Sequence, residues 1–291
     1  MNIIEKAKTD GLVLDGGMGS MLFRTGLSGK PSEFWTLERP EIIESIHRAY
    51  FDAGVDVATT NTFGGSSVKL KKAGLEKQAI TANQNAVAIA RQAAGKTQYV
   101  AGDIGPTGEM LQPFGLLGIE EATATFGEQA AWLAEAGVDL FIIETMFDLN
   151  ESLAAIAGIR KVSDLPIFAT LTFTQSPKGF ATIMGNRVEP SMKSLIDAGA
   201  SAVGANCSIG SDKMIGLAAE IRAAVQSPVV IQPNAGAPKT ENGAIVYPED
   251  IEFFSENIRK IKELGVEIVG GCCGTTPDYI RRICEKIRQP K

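Results

Sequence analysis

The chain has 291 residues, of which 44% are hydrophobic and 21% are charged, a balance typical of a globular protein with a full core. Its formal net charge of −6, without any block rich in lysine or arginine, argues against a nucleic-acid-binding surface. The first residues contain no apolar signal segment, and no apolar run is long enough to span a bilayer, so we expect a cytoplasmic protein.

Eight short β-rich segments recur along the chain, and each ends in a polar or glycine-rich cluster. They lie at 11–17, 55–63, 98–105, 138–145, 166–173, 201–208, 228–234 and 266–273. The segments are continuous apolar runs rather than alternating ones. This pattern indicates strands that are buried on both faces of a parallel sheet.

Segments with helical spacing separate these strands. In residues 41–54 one face carries Ile42, Ile43, Ile46 and Tyr50, and residues 120–137 and 212–225 behave alike. A glycine follows four of the helical patterns and precedes a strand, which is the position of the residue just beyond a helix C-terminus: Gly54, Gly137, Gly199 and Gly265.

The alternation of strands and helices predicts an α/β fold. Eight strand–helix units in a chain of 291 residues favour a (β/α)8 TIM barrel, as a single domain over residues 1–291 with a core from about 11 to 288. A doubly wound open sheet is the alternative. It is less well supported, because neither a GxGxxG motif nor a P-loop follows the first strand.

In a barrel of this type, the carboxyl ends of the strands carry the chemistry. These ends offer eight polar or thiol side chains: Asp15, Asn61, Asp103, Glu144, Cys207, Asn234, Cys272 and Cys273. The loops after strands one, three and seven, at 16–39, 105–120 and 235–250, are long and rich in glycine or proline. Their length predicts a built-up mouth on that face.

The adjacent Cys272 and Cys273 can serve one site only if the backbone turns, because neighbours in a strand point to opposite faces. Glycines on both sides permit such a turn. Together with Cys207, the pair would place three thiols at the mouth, which suits zinc and leaves a fourth position open, as in catalytic sites. The alternatives are inert core thiols, or a vicinal disulfide or thiol switch. Cys284 lies in a helical pattern and is expected in the core.

The single histidine, His47, lies in the helix before strand two, where we expect it to be hydrogen-bonded or solvent-facing. One histidine away from the mouth excludes a Ser–His or Cys–His triad and a histidine metal cluster there. Asp15 and Glu144 are either an acid pair of the glycosidase kind or a site for a substrate ammonium group. The second reading is favoured, because the aromatic content of 7% is low for a sugar-binding cleft.

Seven motifs follow one another in a fixed order. They are DGGMGS (15–20), TTNTFGG (59–65), GDIGPTGE (102–109), IIETM (142–146), GANCS (204–208), QPNAG (232–236) and GGCCGTTP (270–277). This order resembles the homocysteine S-methyltransferase family and, within it, the N-terminal homocysteine-binding module of cobalamin-dependent methionine synthase. The likeness extends from about Gly11 to Arg288.

The resemblance implies a zinc-dependent methyltransferase on a (β/α)8 barrel, which activates homocysteine as a zinc-bound thiolate and methylates it to methionine. The implied Zn2+ ligands are Cys207, Cys272 and Cys273. For the substrate, the resemblance implies that Asp15 and Glu144 bind the amino group. It implies that the backbone amides of Gly16 and Gly17 bind the carboxylate, and that Asn234 is a further contact. Their positions at strand ends make Asn61 and Asp103 further candidate substrate contacts.

The methyl donor is left open by the resemblance, because the chain of 291 residues is expected to lack the folate and cobalamin modules of full-length methionine synthase. A methylcorrinoid carried by a separate protein is favoured, since the mouth loops hold few aromatics that could enclose a small cation: Phe23, Phe34, Trp35, Phe114 and Tyr247. The alternatives are a small donor of the S-methylmethionine or betaine type, and a non-enzymatic zinc-thiolate or redox-sensing barrel. Homocysteine and a corrinoid protein are the expected partners. We expect the protein to bind neither nucleic acid nor a membrane.

Overall fold

The structure, a computed structural model, describes residues 2–241 and 244–288. The two ends of the domain predicted over 1–291, residue 1 and residues 289–291, and residues 242–243 of the predicted mouth loop 235–250 lie outside this range. Within the described residues no helix is both long and apolar enough to cross a membrane.

The described residues form twelve strands, numbered in chain order. They are β1 (Leu12–Val13), β2 (Val57–Thr59), β3 (Tyr99–Ile104), β4 (Leu140–Met146), β5 (Ile167–Leu171), β6 (Thr174–Ser176), β7 (Gly179–Ala181), β8 (Ala202–Gly210), β9 (Val229–Asn234), β10 (Lys239–Glu241), β11 (Ala244–Val246) and β12 (Ile268–Val269). Eight of them pair in parallel in the order β1-β12-β9-β8-β5-β4-β3-β2. A parallel bridge between Leu14 and Val57 joins the two ends of this order, so the predicted barrel is confirmed.

Twelve α-helices accompany the strands in the part of the chain that the structure describes. They are α1 (Ile3–Thr9), α2 (Met18–Arg24), α3 (Ser32–Glu38), α4 (Pro40–Asp52), α5 (Ser67–Lys72), α6 (Ala79–Ala93), α7 (Ile119–Glu135), α8 (Leu149–Arg160), α9 (Val188–Asp197), α10 (Ser211–Ala224), α11 (Ile251–Glu263) and α12 (Pro277–Ile287). The four glycines predicted just beyond helix ends all adopt positive φ, at 103° for Gly54, 94° for Gly137, 107° for Gly199 and 85° for Gly265. Glycine has no Cβ, so it takes this conformation without the steric cost that other residues incur.

The barrel interior is apolar at its base and polar at its mouth. A cluster of buried residues from all eight barrel strands fills the base: Leu12, Leu14, Val57, Ala101, Leu140, Ile142, Phe168, Ala202, Val230 and Ile268. Because side chains alternate along a strand, residues two positions further on share the inward face. Asp103, Glu144 and Gln232 lie two positions beyond residues of this cluster, and Asn206 lies four beyond Ala202, so four strands bring polar groups towards the mouth.

Two antiparallel hairpins stand on the mouth loops and were not predicted. They are β6–β7, in the loop after β5, and β10–β11, in the loop after β9. The segments Thr174–Ser176 and Lys239–Glu241 are exposed and polar, so neither carries the apolar run by which the barrel strands were found.

Cys284 and His47 lie in helices, as predicted, but the expectation for His47 is otherwise wrong. Cys284 is buried within α12, which confirms the core assignment. His47 is fully buried in α4, and neither ring nitrogen has a hydrogen-bond partner in the described structure. It falls on the buried face with Ile43, Ile46 and Tyr50, because residues three and four apart share one side of a helix. Burial lowers the pKa of His47 to about 4, so the ring is neutral near pH 7.

Candidate metal centre and active site

Three thiols meet at the carboxyl ends of two barrel strands. The Sγ atoms of Cys207, Cys272 and Cys273 all lie within 4.8 Å of one another. Cys207 belongs to β8 and the adjacent pair follows β12, with β9 between the two strands in the sheet. The structure therefore brings together the three cysteines that were predicted to share one site, and it leaves Cys284 outside that cluster.

A local departure from regular strand geometry turns Cys207 towards the site. Its neighbour Asn206 has the inward parity, so in a regular strand Cys207 would face outward. Instead Cys207 and Ser208 adopt left-handed backbone conformations, with φ values of 61° and 66°. The pairing of β8 with β9 shifts register between Asn206 and Gly210. Left-handed conformations cost non-glycine residues about 1–3 kcal/mol each, and such strain concentrates at functional sites.

Cys272 and Cys273 lie in a turn that is fastened to the end of β9. The Cys272 amide donates to the Pro233 carbonyl at 2.9 Å, and the Cys273 amide donates to Asn234 Oδ1 at 3.1 Å. Gly274 follows with φ of 84°, so the backbone reverses immediately after the pair. The strand β12 ends at Val269, and the side chains of Cys272 and Cys273 are therefore not constrained to opposite faces of a sheet.

The three thiols of the cluster differ in pKa. Hydrogen bonds from Cys207 and Cys272 lower the pKa of Cys273 to about 3. Hydrogen bonds with the other two sulfurs, together with burial, hold the pKa of Cys272 well above its usual value. One thiolate is thus favoured in the cluster, and a thiolate is the form that binds a metal.

The cluster has the donor set and the spacing for a tetrahedral metal ion. Zn–S bonds of about 2.3 Å at tetrahedral angles put two ligand sulfurs about 3.8 Å apart. The Sγ atoms of Cys272 and Cys273 lie 4.0 Å apart, which is close to that spacing. Thiolate ligands favour zinc among the common divalent ions, and three protein ligands leave one position for another group.

Asp15, at the end of the first strand, is buried and held by the second strand. Its Oδ2 accepts the Thr59 amide at 2.8 Å, and both of its oxygens lie 3.2 Å from the Thr59 hydroxyl. Burial raises the pKa of Asp15 to about 8. Thr59 was not singled out from the sequence, although it is the first polar residue after the apolar run of β2 and begins the TTNTFGG motif.

Glu144 is oriented by Asn206, a residue that the sequence analysis missed. The Asn206 amide donates to Glu144 Oε2 at 2.6 Å and approaches Cys272 Sγ at 3.8 Å. Its oxygen accepts from the Thr145 amide at 2.8 Å and from the Thr170 hydroxyl at 2.9 Å. Asn206 therefore connects the acidic side of the mouth to the thiols. The available signal was a buried polar residue directly before Cys207 in GANCS.

Asn61 and Asn234 lie at the mouth, and both have structural partners. The Asn61 amide donates to the Ser32 carbonyl at 2.8 Å and to the Thr36 hydroxyl at 2.9 Å, which fastens α3 to the end of β2. The Asn234 oxygen accepts from the Cys273 amide. Substrate contact by either asparagine stays a prediction.

The first-strand glycines allow close packing against the β12 turn. The Gly17 amide, expected to hold a substrate carboxylate, donates to the Thr275 carbonyl at 3.2 Å. A Cβ on Gly16 would lie 2.6 Å from the Thr275 hydroxyl, and a Cβ on Gly17 would lie 2.9 Å from the Cys272 carbonyl oxygen. Both glycines are needed for this packing. Their role in binding a carboxylate stays a prediction.

Fold and site together define a (β/α)8 barrel enzyme with a candidate thiol metal centre beside buried carboxyl groups at its mouth. A family model described as homocysteine S-methyltransferase matches residues 12–287. The chain therefore belongs to the homocysteine S-methyltransferase family, and with it to the methyltransferases.

Two relatives and one solved structure illustrate the family likeness. The methionine synthases of Mycobacterium leprae and Mycobacterium tuberculosis are each 30% identical, over 95% and 96% of this chain. The matches cover 24% and 25% of those proteins, so the chain spans about a quarter of their length. The metallated crystal structure of the homocysteine methyltransferase MmuM from Escherichia coli superposes with a TM-score of 0.79 at 22% identity, covering 97% of each chain. At that identity the superposition supports the fold.

Proposed function

We propose that the chain is a zinc-dependent enzyme that methylates homocysteine to methionine, with zinc held by Cys207, Cys272 and Cys273. The observation that carries this proposal is the convergence of three sulfurs within 4.8 Å at the barrel mouth, beside buried carboxyl groups. When bound, zinc supplies a fourth coordination position at which a substrate thiol loses its proton. An ordinary thiol has a pKa of about 8.5, so little of it is thiolate at pH 7 without such help.

The residues of the chain fix the other end of the substrate. Glu144 and Asp15 offer carboxylates for the ammonium group, and Asn206 holds Glu144 at 2.6 Å, at a defined place relative to Cys272. Fixing both ends of the amino acid orients its sulfur for in-line attack on a methyl group. The sulfur gains the bond to the methyl carbon, and the donor leaves with the electron pair of the bond that breaks. No histidine is required as a base.

Proton release tests this thiol chemistry directly. At pH 7, the zinc-loaded protein should release at least one proton for each homocysteine bound, since the free thiol is mostly protonated. Asp15, whose pKa is about 8 in the empty site, adds to this release when it pairs with the ammonium group. The metal-free protein is the control. A non-enzymatic redox-sensing barrel is the alternative, because the three thiols are close together; it predicts a reversible disulfide and no proton release upon addition of homocysteine.

For the donor, we infer a methylcorrinoid presented by a separate protein. The two relatives named above are methionine synthases, and the three mouth loops hold only five aromatic residues. Phe34 packs edge-on against Trp35 with ring centroids 5.0 Å apart, and Phe23 and Phe114 are exposed. A hydrogen bond from Tyr247 helps to lower the pKa of Cys273, so this ring lies beside the cysteine cluster. A single aromatic ring encloses a small cationic donor poorly.

A panel of donors tests this inference. Methylcobalamin should support slow methionine formation and a methylated corrinoid protein should support faster formation, while S-methylmethionine and betaine should support almost none. A kcat/KM of about 10⁴ M⁻¹s⁻¹ or more with either small donor would place the chain among the small-donor enzymes instead.

A further inference from the structure

Asp103 is a buried carboxyl group whose role the fold does not explain. Its side chain is 4% exposed, and Oδ1 has no hydrogen-bond partner in the described structure. Its backbone groups both have partners: the Asp103 amide donates to the Thr60 hydroxyl oxygen at 3.0 Å, and the Asp103 carbonyl accepts from the Thr62 hydroxyl at 2.7 Å. A buried polar atom without a partner costs about 1–3 kcal/mol, so an unused carboxylate oxygen calls for an explanation.

The side chain of Asp103 projects into the barrel at the level of the substrate-binding carboxylates. Asp103 shares the inward face of β3 with Ala101, and Glu144 shares the inward face of the neighbouring β4 with Ile142. The carboxyl groups of Asp103 and Glu144 lie within hydrogen-bonding reach of each other, and the charges of Asp15 and Glu33 also act on Asp103. Several acidic groups thus converge on one end of the barrel interior.

No cation of the described residues satisfies Asp103 Oδ1. The charge of Lys69 reaches Asp103, but Lys69 Nζ lies 4.4 Å from the centroid of the Phe63 ring and 3.5 Å from the Pro106 carbonyl oxygen. Placing acidic groups together in a buried site raises the free energy of the empty protein. As a carboxylate, Asp103 needs a hydrogen-bond donor at this oxygen, and a cationic donor would also relieve the repulsion among the acidic groups.

We propose that Asp103 is a third acceptor for the ammonium group of homocysteine, alongside Glu144 and Asp15; this inference rests on the proposed function. An ammonium group has three N–H donors and no acceptor. The other two carboxylates are already partly used, Asp15 by Thr59 and Glu144 Oε2 by Asn206. The unpartnered oxygen of Asp103 completes a site with one acceptor from each of three strand ends.

The arrangement also accounts for substrate selection. A thiol without an ammonium group leaves the acidic groups buried and unpaired, which a binding site penalises strongly. Homocysteine pairs with them, and its thiol still reaches the cysteine cluster. Asp103 therefore contributes to the discrimination between amino-acid thiols and simple thiols.

The test compares two thiols that differ only in the amino group. Titration calorimetry on the zinc-loaded protein gives the Kd of homocysteine and of 4-mercaptobutyrate, which is homocysteine without its amino group. Asp103→Asn should weaken homocysteine binding about tenfold to a hundredfold and leave the Kd of 4-mercaptobutyrate within about twofold. Glu151→Gln is the matched control, because Glu151 is a buried carboxylate of α8 whose Oε1 is already held by the Thr107 amide and hydroxyl.

A second readout separates substrate binding from a structural role. Without substrate, Asp103→Asn should unfold at the same temperature as the unchanged protein or at a higher one, because it removes an unpaired buried acid. A lowered unfolding temperature with equal loss of affinity for both thiols would show that Asp103 is structural, and would overturn the proposal. Unchanged homocysteine affinity in Asp103→Asn would overturn it as well. If the unchanged zinc protein does not bind homocysteine, the proposed function fails and this inference falls with it.

Discussion

Among single residues, the four cysteines divide into two environments, and this division is open to test. Cys207, Cys272 and Cys273 form the cluster at the mouth, whereas Cys284 Sγ contacts the Gly54 carbonyl at 3.4 Å between α12 and the end of α4. Cys207→Ser should therefore lower zinc content well below one ion per chain, because it removes a thiolate ligand. Cys284→Ser should keep one zinc per chain. Metal analysis of the purified proteins checks both, and full zinc in Cys207→Ser would mean that the ligand set is wrong.

Glu144 should matter for substrate binding rather than for the metal. Its partners are Asn206 and Thr145, and both can still donate hydrogen bonds to the oxygen of a glutamine. Glu144→Gln should weaken homocysteine binding by about 1.5–3 kcal/mol, the range for a hydrogen bond to a charged group. Zinc content should stay normal. Calorimetry measures the affinity, and an unchanged value would assign Glu144 a purely structural role.

Because His47 is buried and its pKa is lowered, we expect the free energy of unfolding to depend on pH in a specific way. Its pKa is about 4 in the folded protein and about 6.5 when unfolded, so between these values only the unfolded chain binds the proton. The contribution of His47 to the free energy of unfolding is fully present above pH 6.5 and is lost as the pH falls towards 4. Between pH 7.5 and pH 5 the loss amounts to about 2 kcal/mol.

The variant His47→Leu should lack this part of the pH dependence. Urea unfolding of the metal-free proteins at pH 7.5 and pH 5 gives the two free energies of unfolding. The unchanged protein should lose about 2 kcal/mol more than the variant over this interval. Equal losses would show that the imidazole finds a partner or water in the folded state.

At the level of elements, the turn after β12 is the part of the site most sensitive to backbone change. Gly274 has φ of 84° and packs against the Tyr247 ring, where an added Cβ would collide with the ring. Gly108 has φ of 76° and open space at the same position. Substitution of each glycine by alanine therefore separates the energetic cost of positive φ from the cost of the collision with Tyr247.

Gly274→Ala should weaken zinc binding, because relief of the collision displaces the turn that carries Cys272 and Cys273. Gly108→Ala should lose only about 1 kcal/mol of stability and keep its zinc, since the φ penalty is the whole effect. A competition assay with a chelator measures the zinc affinity of both. Equal affinities would show that Tyr247 moves aside without disturbing the cysteines.

The elements that sequence predicts best are those whose apolar pattern coincides with burial. All eight barrel strands carry such runs, and Gly54 and its three counterparts mark helix ends by a steric requirement that is visible in the sequence. Each short hairpin includes an exposed polar strand that no apolar run marks. The burial of His47 follows from the helix face that it shares with Ile43, Ile46 and Tyr50, but the lack of a hydrogen-bond partner for its ring could not be predicted from that pattern. The convergence of the thiols was predicted, but the left-handed conformations at Cys207 and Ser208 were not, because neither residue type demands positive φ.

For the whole molecule, the barrel accounts for the site by bringing distant segments of the chain to one face. The thiols come from β8 and the turn after β12, and the carboxyl groups come from β1, β3 and β4. Asn206 links the two groups through its contacts with Glu144 and Cys272. The thiol side suits activation of a sulfur nucleophile, and the acidic side suits an ammonium group, as the proposed function requires.

Methyl transfer to homocysteine should depend on the metal held by the three thiols. The decisive experiment is to follow the initial rate of methionine formation from homocysteine and methylcobalamin as zinc is added back to the metal-free chain. We predict a rate that rises in proportion to bound zinc and stops rising at one ion per chain, with no such rise in Cys207→Ser. A rate that does not depend on zinc, or no methionine at one zinc per chain with any donor of the panel, would contradict the account.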